Sequence, residues 1–306
     1  MKTKFALKAG FAAVALAAAG AANAGFYINN GIDFGSIGVT QDKVCATCTS
    51  VKTELQFKYD STTTIFDTDN NGIDAGDGIS TIGGFAVPGA VLGNNQITNF
   101  LPAPSPFGTD SNNGYGTNMI LSFRASNLNG IVTGISSNVP TFGYAPGGLI
   151  ELLYMTSPTT YINFMDINLT GGGATGVSTI LHGSVDFSNI DATATAIMKN
   201  LFHSSTFTCG GSSSFFDIWS GSGCGSAPGQ IEISFKSTQD ANVEVSRFAF
   251  NPGANLVVGG GDDRFQVSTN HNGSASFDIP EPGSLALLGL ALAGLGMIQR
   301  RRNAVK

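Results

Sequence analysis

Between Glu54 and Tyr59 the chain alternates strictly: Leu55, Phe57 and Tyr59 fall on one side, Glu54, Gln56 and Lys58 on the other. That period of two is the mark of a strand with one face buried. It returns at Gln230–Lys236, where Ile231, Ile233 and Phe235 face inward. In Asn242–Phe250 it starts with Val243 and Val245, then changes phase at Arg247 to Phe248 and Phe250. A phase change inside a strand predicts a β-bulge or a strand end. Val185 with Phe187, Phe265 with Val267, and Phe277 with Ile279 predict further short strands.

Five Asn-Gly pairs, at 30–31, 71–72, 113–114, 129–130 and 272–273, predict turns that need positive φ. The Pro-, Asn- and Gly-rich stretch from Gly84 to Gly116 reads as long surface loops. One helix is expected from Ala192 to Phe202, with Asp191 as N-cap and Ile197 and Leu201 four apart. Together these features predict an all-β fold, an antiparallel β-sandwich or Greek-key-like body, in one domain spanning residues 25–279.

Composition narrows the function. The chain has 306 residues, 42% of them apolar and 12% charged, with 41 glycines and a net charge of −6. Enough apolar surface is present to offset the entropy of ordering. The glycines keep no three-residue period, which excludes a collagen. The acidic balance offers no basic stripe, so no nucleic-acid partner is expected. Seven of the 15 basic residues (Lys2, Lys4, Lys8, Arg300, Arg301, Arg302 and Lys306) sit at the two ends. Residues 25–282 therefore carry eight basic against 21 acidic side chains, a net of −13. Such a surface keeps an exported protein soluble, and it suits divalent cations as bridges to anionic polymers.

The cysteines are four: Cys45, Cys48, Cys209 and Cys224. In an oxidising compartment an even number predicts disulfides, either Cys45–Cys48 with Cys209–Cys224 or a crossed pairing. A redox Cys-x-x-Cys would open a helix, whereas Thr49, Ser50 and Val51 lead into a strand. The 15-residue offset between Cys209 and Cys224 does not suit a zinc site.

Metal chemistry is concentrated in one loop. In Asp67–Asp77, Asp67, Asp69, Asn71, Asp74 and Asp77 place oxygen ligands along a short Gly-containing segment, the hard-oxygen spacing that Ca²⁺ takes. Against an EF-hand register Asp74 is one position early, and Gly78 stands where the twelfth-position carboxylate belongs. The same residues also read as a plain acidic turn between strands near Ile65–Phe66 and Ile79–Ile82. No other cofactor is indicated.

Catalytic patterns are scarce. Neither Gly-x-Ser-x-Gly nor His-Glu-x-x-His occurs, and His182, His203 and His271 are scattered. Gly171–Gly176 matches Gly-x-Gly-x-x-Gly, but Val177, Thr179 and Leu181 then alternate as a strand, so it reads as a hairpin loop, not a phosphate site. The chain is not expected to be an enzyme.

The two ends belong to sorting. Lys2, Lys4 and Lys8 precede an apolar run to Ala22, and Ala22-Asn23-Ala24 supplies small residues for signal peptidase, so residues 1–24 read as a secretory signal cleaved after Ala24. At the other end Pro280-Glu281-Pro282 is followed by an uncharged stretch through Gln299 and then Arg300-Arg301-Arg302. As a helix its 18 uncharged residues would span about 27 Å, marginal for a bilayer core of about 30 Å, with the arginines held in the cytoplasm. Triplet, short helix and Arg cluster, in that order, resemble the PEP-CTERM sorting signal, over residues 280–306. The resemblance implies export through the inner membrane of a Gram-negative bacterium, processing by an exosortase, and a cell-surface or extracellular mature form alongside exopolysaccharide.

The body also resembles the flocculation-associated PEP-CTERM proteins, in Ser61–Gly78 (STTTIFDTDNNGIDAGDG), Gly147–Tyr154 (GGLIELLY), Gly183–Phe187 (GSVDF) and Arg264-Phe265-Gln266-Val267. That resemblance implies a matrix protein that retains exopolysaccharide and supports floc or biofilm formation. Two alternatives remain: a carbohydrate-binding module, which would want Trp219 or a Tyr exposed for stacking on sugar rings, and an extracellular hydrolase.

Overall fold

The computed structural model describes residues 25–28, 51–67, 69, 71–101, 115, 120–136, 139–175, 178–222, 231–239 and 263–278. The signal segment, Cys45, Cys48, Cys224, the strand expected at 242–250 and the sorting tail from 279 onward lie outside them. Among the described residues twelve strands carry the fold: β1 (Phe26–Ile28), β2 (Glu54–Asp67), β3 (Gly78–Gly84), β4 (Gln96–Leu101), β5 (Leu121–Ser136), β6 (Val139–Tyr144), β7 (Leu149–Met155), β8 (Tyr161–Thr175), β9 (Ser178–Asp186), β10 (Phe202–Ser204), β11 (Glu232–Gln239) and β12 (Asp263–Asp278).

The all-β expectation holds, but the sandwich does not. The large sheet runs antiparallel from β12 through β11, β9, β8, β6, β5 and β3 to β2, and β2 pairs back with β12 along Asp67↔Asp263 to Leu55↔Ala275. The result is an eight-stranded antiparallel barrel with extra strands. Neighbours in the barrel follow one another along the chain, so it is an up-and-down closure without a Greek-key crossover. Alternation along the sequence cannot distinguish a sheet facing a second sheet from one that curls onto itself, because both bury every other side chain.

Two of the eight barrel positions are filled by pairs of short strands laid end to end. β3 covers β2 from Ser61 to Phe66, and β4 resumes from Lys58 down to Glu54. On the far side of β5, β6 covers Gly130–Ser136 and β7 covers Leu121–Ser126. At the first break the ladder donor of Asp60 has no strand opposite it. The fully buried Asn95 stands in: its Oδ1 accepts the Asp60 N–H at 2.8 Å, and its Nδ2 donates to Asp60 Oδ2 (3.0 Å) and Val91 O (3.1 Å). The seam from β4 to β5 is also bridged by side chains. Ser122 Oγ donates to Asn95 O at 2.6 Å, and the Tyr115 hydroxyl donates to Ile97 O while accepting from Leu121 N.

One end of the barrel is plugged. β1 pairs with β10 in a separate two-stranded sheet, and two short helices, α1 (Ala196–Lys199) and α2 (Phe215–Ser220), lie in the same region between β9 and β11. Phe26, Phe100, Phe202, Phe215 and Phe277, each at most 1% exposed, pack edge-on and tilted with centroids 4.9–6.5 Å apart. Burying five such rings supplies roughly 2 kcal/mol each before entropy. Here Cys209 is buried and is not a free thiol; the pairing itself lies outside the described residues.

Several local expectations shift. The helix expected at 192–202 is one turn, Ala196–Lys199, capped by Thr195, whose hydroxyl accepts the Met198 N–H. Asp191 instead accepts the Asn163 N–H at 2.7 Å. The Gly/Ser excursion after Cys209 contains α2, capped by Ser214 and ended by Gly221 at φ 70°. The stretch expected to be loop from Gly84 onward includes β4. The hairpin expected at the glycine run is there, between β8 and β9, but the run from Gly171 belongs to β8 through Thr175, which pairs with Ser178. Phe265 and Phe277 stand on one strand, β12, instead of two. Among the described residues no helix is long and apolar enough to cross a membrane.

Asn129-Gly130 and Asn272-Gly273 are not turns either; both sit inside strands, β5 and β12. Their glycines mark close approaches. A Cβ on Gly130 would stand 2.0 Å from Gly143 O, and one on Gly273 would stand 2.6 Å from both Lys236 O and the Phe57 ring.

Candidate functional site

The acidic loop joins β2 to β3 at the rim opposite the plugged end. It begins and ends on buried carboxylates, Asp67 at 1% and Asp77 at 4% exposure, because both side chains continue the inward phase of their strands. Asp69 is exposed, yet Asp67, Asp69 and Asp77 each bring one oxygen to within 4.8 Å of the others. The loop folds around these carboxylates through its own amides. Gly72 N donates to Asp67 Oδ2 (2.8 Å), Asp74 N to Asp77 Oδ2 (2.8 Å), and Asn71 Nδ2 to Asp69 Oδ2 (2.8 Å). Gly72 and Gly76, at φ 100° and 115°, permit the tight path. Two backbone bonds, Gly76 N to Val132 O (2.9 Å) and Val132 N to Asp77 O (2.8 Å), fasten the loop to β5.

Of the five residues read as cation ligands, three converge. Asp74 is exposed and outside the carboxylate cluster, and the Asn71 amide turns its N–H to Asp69. The path of the loop brings Asp77, at its end, to the cluster and leaves Asp74 outside it. Burial pushes the Asp77 carboxyl above its usual range; the Asp74 N–H opposes that, and the charges of Asp67, Asp74 and Asp69 add to it. Asp67 Oδ1 is buried with no hydrogen-bond partner among the described residues.

A second polar group lies inside the barrel, and the sequence reading missed it. Ser61 and Thr63 continue the inward phase of Leu55, Phe57 and Tyr59, so polar residues at inward positions were the available signal. They join Tyr59, Thr81, Tyr144, Thr179, Ser237, Thr269 and His271 around a cavity of about 70 Å³ whose remaining walls are mostly apolar. Thr63 bonds Thr81 (2.9 Å), Thr81 bonds the Tyr144 hydroxyl (3.2 Å), Tyr59 bonds Ser237 (3.1 Å), and Ser61 bonds His271 Nε2 (2.7 Å). The His271 ring stacks on Tyr59 at 4.5 Å, and its Nδ1 is buried without a partner among the described residues. Burial pulls the imidazole down to about 4 and pushes the Tyr59 hydroxyl up. The volume suits about two waters and falls far below the several hundred Å³ of a drug-sized ligand site.

Elsewhere, Arg124 and Glu151 form a bidentate ion pair across β5 and β7, with Glu151 Oε1 also 3.5 Å from Asn163 Nδ2. His203 bonds Asn200 O (2.8 Å) and Ser213 (3.1 Å), and the more exposed His182 bonds Ser234 (3.1 Å). Trp219 is half-buried against Phe187 and Phe216, not displayed as a platform for a sugar ring.

The C-terminal strand supplies the remaining functional feature. β12 descends from the acidic rim to the plugged end and finishes at Asp278. No curated protein and no solved structure matches the chain. The match to a family model begins at that same residue: the chain carries the PEP-CTERM protein-sorting motif at residues 278–302, which implies export from a bacterial cell, processing by exosortase and a surface or extracellular location.

Proposed function

We propose that this is a non-catalytic extracellular matrix protein of a Gram-negative bacterium, which helps retain exopolysaccharide and supports floc or biofilm formation. The observation that carries the reading is the opposition between the sorting motif and the acidic rim. The motif starts where β12 ends, at the plugged end, while the Asp67–Asp77 loop stands at the other. β2 alone runs 12 residue steps from Leu55 to Asp67, about 40 Å of strand or some 30 Å of height in a tilted barrel. A tail engaged by exosortase at the membrane would leave the acidic rim facing outward, toward polymer. The half-buried Trp219 gives a discrete sugar-stacking module less support than a matrix role.

Deletion in the native host tests the reading. Loss of flocs, with exopolysaccharide released into the medium, is the expected result. Complementation by a chain lacking 280–306 should fail to restore them. Unchanged flocs and unchanged polymer retention would refute the matrix role and leave export and sorting intact.

A further inference from the structure

We propose that Asp67, Asp69 and Asp77 bind one Ca²⁺ ion, which clamps the β2–β3 loop at the rim of the barrel. The site stands independently of the matrix reading. Three carboxylate oxygens within 4.8 Å of one another fit around a single ion, since oxygens at 2.3–2.6 Å from Ca²⁺ lie at most about 5 Å apart. An all-oxygen set selects a hard cation over zinc or copper. Without an ion, these negative groups repel at close range in a partly desolvated place.

A second observation is independent of the clustering. Asp67 is 1% exposed, and its buried Oδ1 has no hydrogen-bond partner among the described residues, although Gly72 N serves Oδ2. A buried carboxylate oxygen left without a partner is costly, and native proteins seldom tolerate one unless an ion or water completes it. Asp77, 4% exposed, accepts the Asp74 N–H on Oδ2, and each carboxylate oxygen has a second lone pair that a cation could take. Waters would fill the outer coordination positions on the side of the exposed Asp69.

With three protein carboxylates, one of them exposed, affinity should sit near 10⁻⁴ M, within the range of extracellular calcium modules. Mg²⁺, which demands a tighter octahedron and gives up water reluctantly, should bind at least tenfold more weakly. The ion would join the end of β2 to the start of β3, and through the bonds of Gly76 and Asp77 with Val132 to β5. Binding to the folded state alone should then raise Tm by about 5 °C at 5 mM Ca²⁺.

The test is calorimetric titration of the chelator-treated full chain with CaCl₂, with thermal unfolding in CaCl₂, MgCl₂ and NaCl at matched ionic strength. Asp69→Asn, at an exposed position, should weaken binding tenfold or more and abolish the Tm rise. Asp74→Asn, in the same loop but outside the cluster, should keep Kd within threefold. No heat and no Tm shift at millimolar Ca²⁺ would overturn the site. So would an Asp69→Asn chain that binds like the parent, or equal losses in the two variants, which would reduce the effect to diffuse loop charge.

Discussion

His271 should make the barrel acid-sensitive in a way one substitution can isolate. Its ring is 7% exposed, stacked on Tyr59 and bonded to Ser61, and burial holds its pKa at about 4 against an ordinary 6.5. Above pH 6.5 the ring is neutral both folded and unfolded, so it contributes no pH dependence. As pH falls below 6.5 the unfolded chain takes up a proton that the folded chain refuses, and stability drops until the folded ring also protonates near pH 4. The full span of 2.5 pH units corresponds to about 3 kcal/mol, of which about 2.5 kcal/mol has gone by pH 4.5. Asp77, Asp166 and Asp278, whose carboxyls burial pushes up, tilt stability the opposite way, because they bind protons more readily when folded. Those groups are common to parent and variant and cancel in a difference. The assay is urea unfolding at pH 7.5 and pH 4.5, with chelator present, of the parent and of His271→Phe, which retains a ring against Tyr59. The variant should lose about 1 kcal/mol at pH 7.5 from the Ser61 bond. Between the two pH values the parent should lose about 2.5 kcal/mol more than the variant. Parallel losses would refute the assignment of a neutral, proton-refusing imidazole to the interior.

Two further outcomes follow from the broken barrel positions. Asn95→Ala removes three side-chain hydrogen bonds and leaves the Asp60 N–H facing a gap, so urea unfolding should show a loss of about 3 kcal/mol; a loss under 1 kcal/mol would mean that water replaces the amide freely. Gly130→Ala sets a Cβ against Gly143 O at 2.0 Å and should cost about 3 kcal/mol or prevent folding, whereas Gly134→Ala, whose nearest neighbour is Thr141 Oγ1 at 3.6 Å, should fall within about 1 kcal/mol of the parent by the same assay.

Among the described residues, strand existence was legible where alternation was clean. Leu55, Phe57 and Tyr59 face the interior as their spacing requires, as do Ile231, Ile233 and Phe235. Closure was not legible, because it depends on Leu55–Asp67 meeting Asp263–Ala275 across more than 190 residues of chain, a contact that no local pattern encodes. The long strands β5 and β8 were hidden by Asn-Gly and Gly-Gly, which read as turn chemistry but serve here to let neighbouring backbone come close. In the acidic loop the residue types were visible, yet the membership was not. Whether Asp74 or Asp77 joins Asp67 depends on the path set by Gly72 and Gly76 and on the Val132 bonds, which are tertiary. The interior histidine was seen as one of three scattered rings, and only the register Tyr59↔His271 gives it a partner and a dry environment.

The closure of β2 on β12 also limits how such molecules could join one another. An open sheet offers an unpaired row of N–H and C=O groups on which another chain can grow as a fibre. In this barrel each of the eight positions has a neighbour on both sides, and the break beside β2 is sealed by Asn95 instead of left as a template. Cohesion built from this body would therefore run through side chains and loops, assembling and dissolving with ionic conditions instead of hardening into an irreversible fibril.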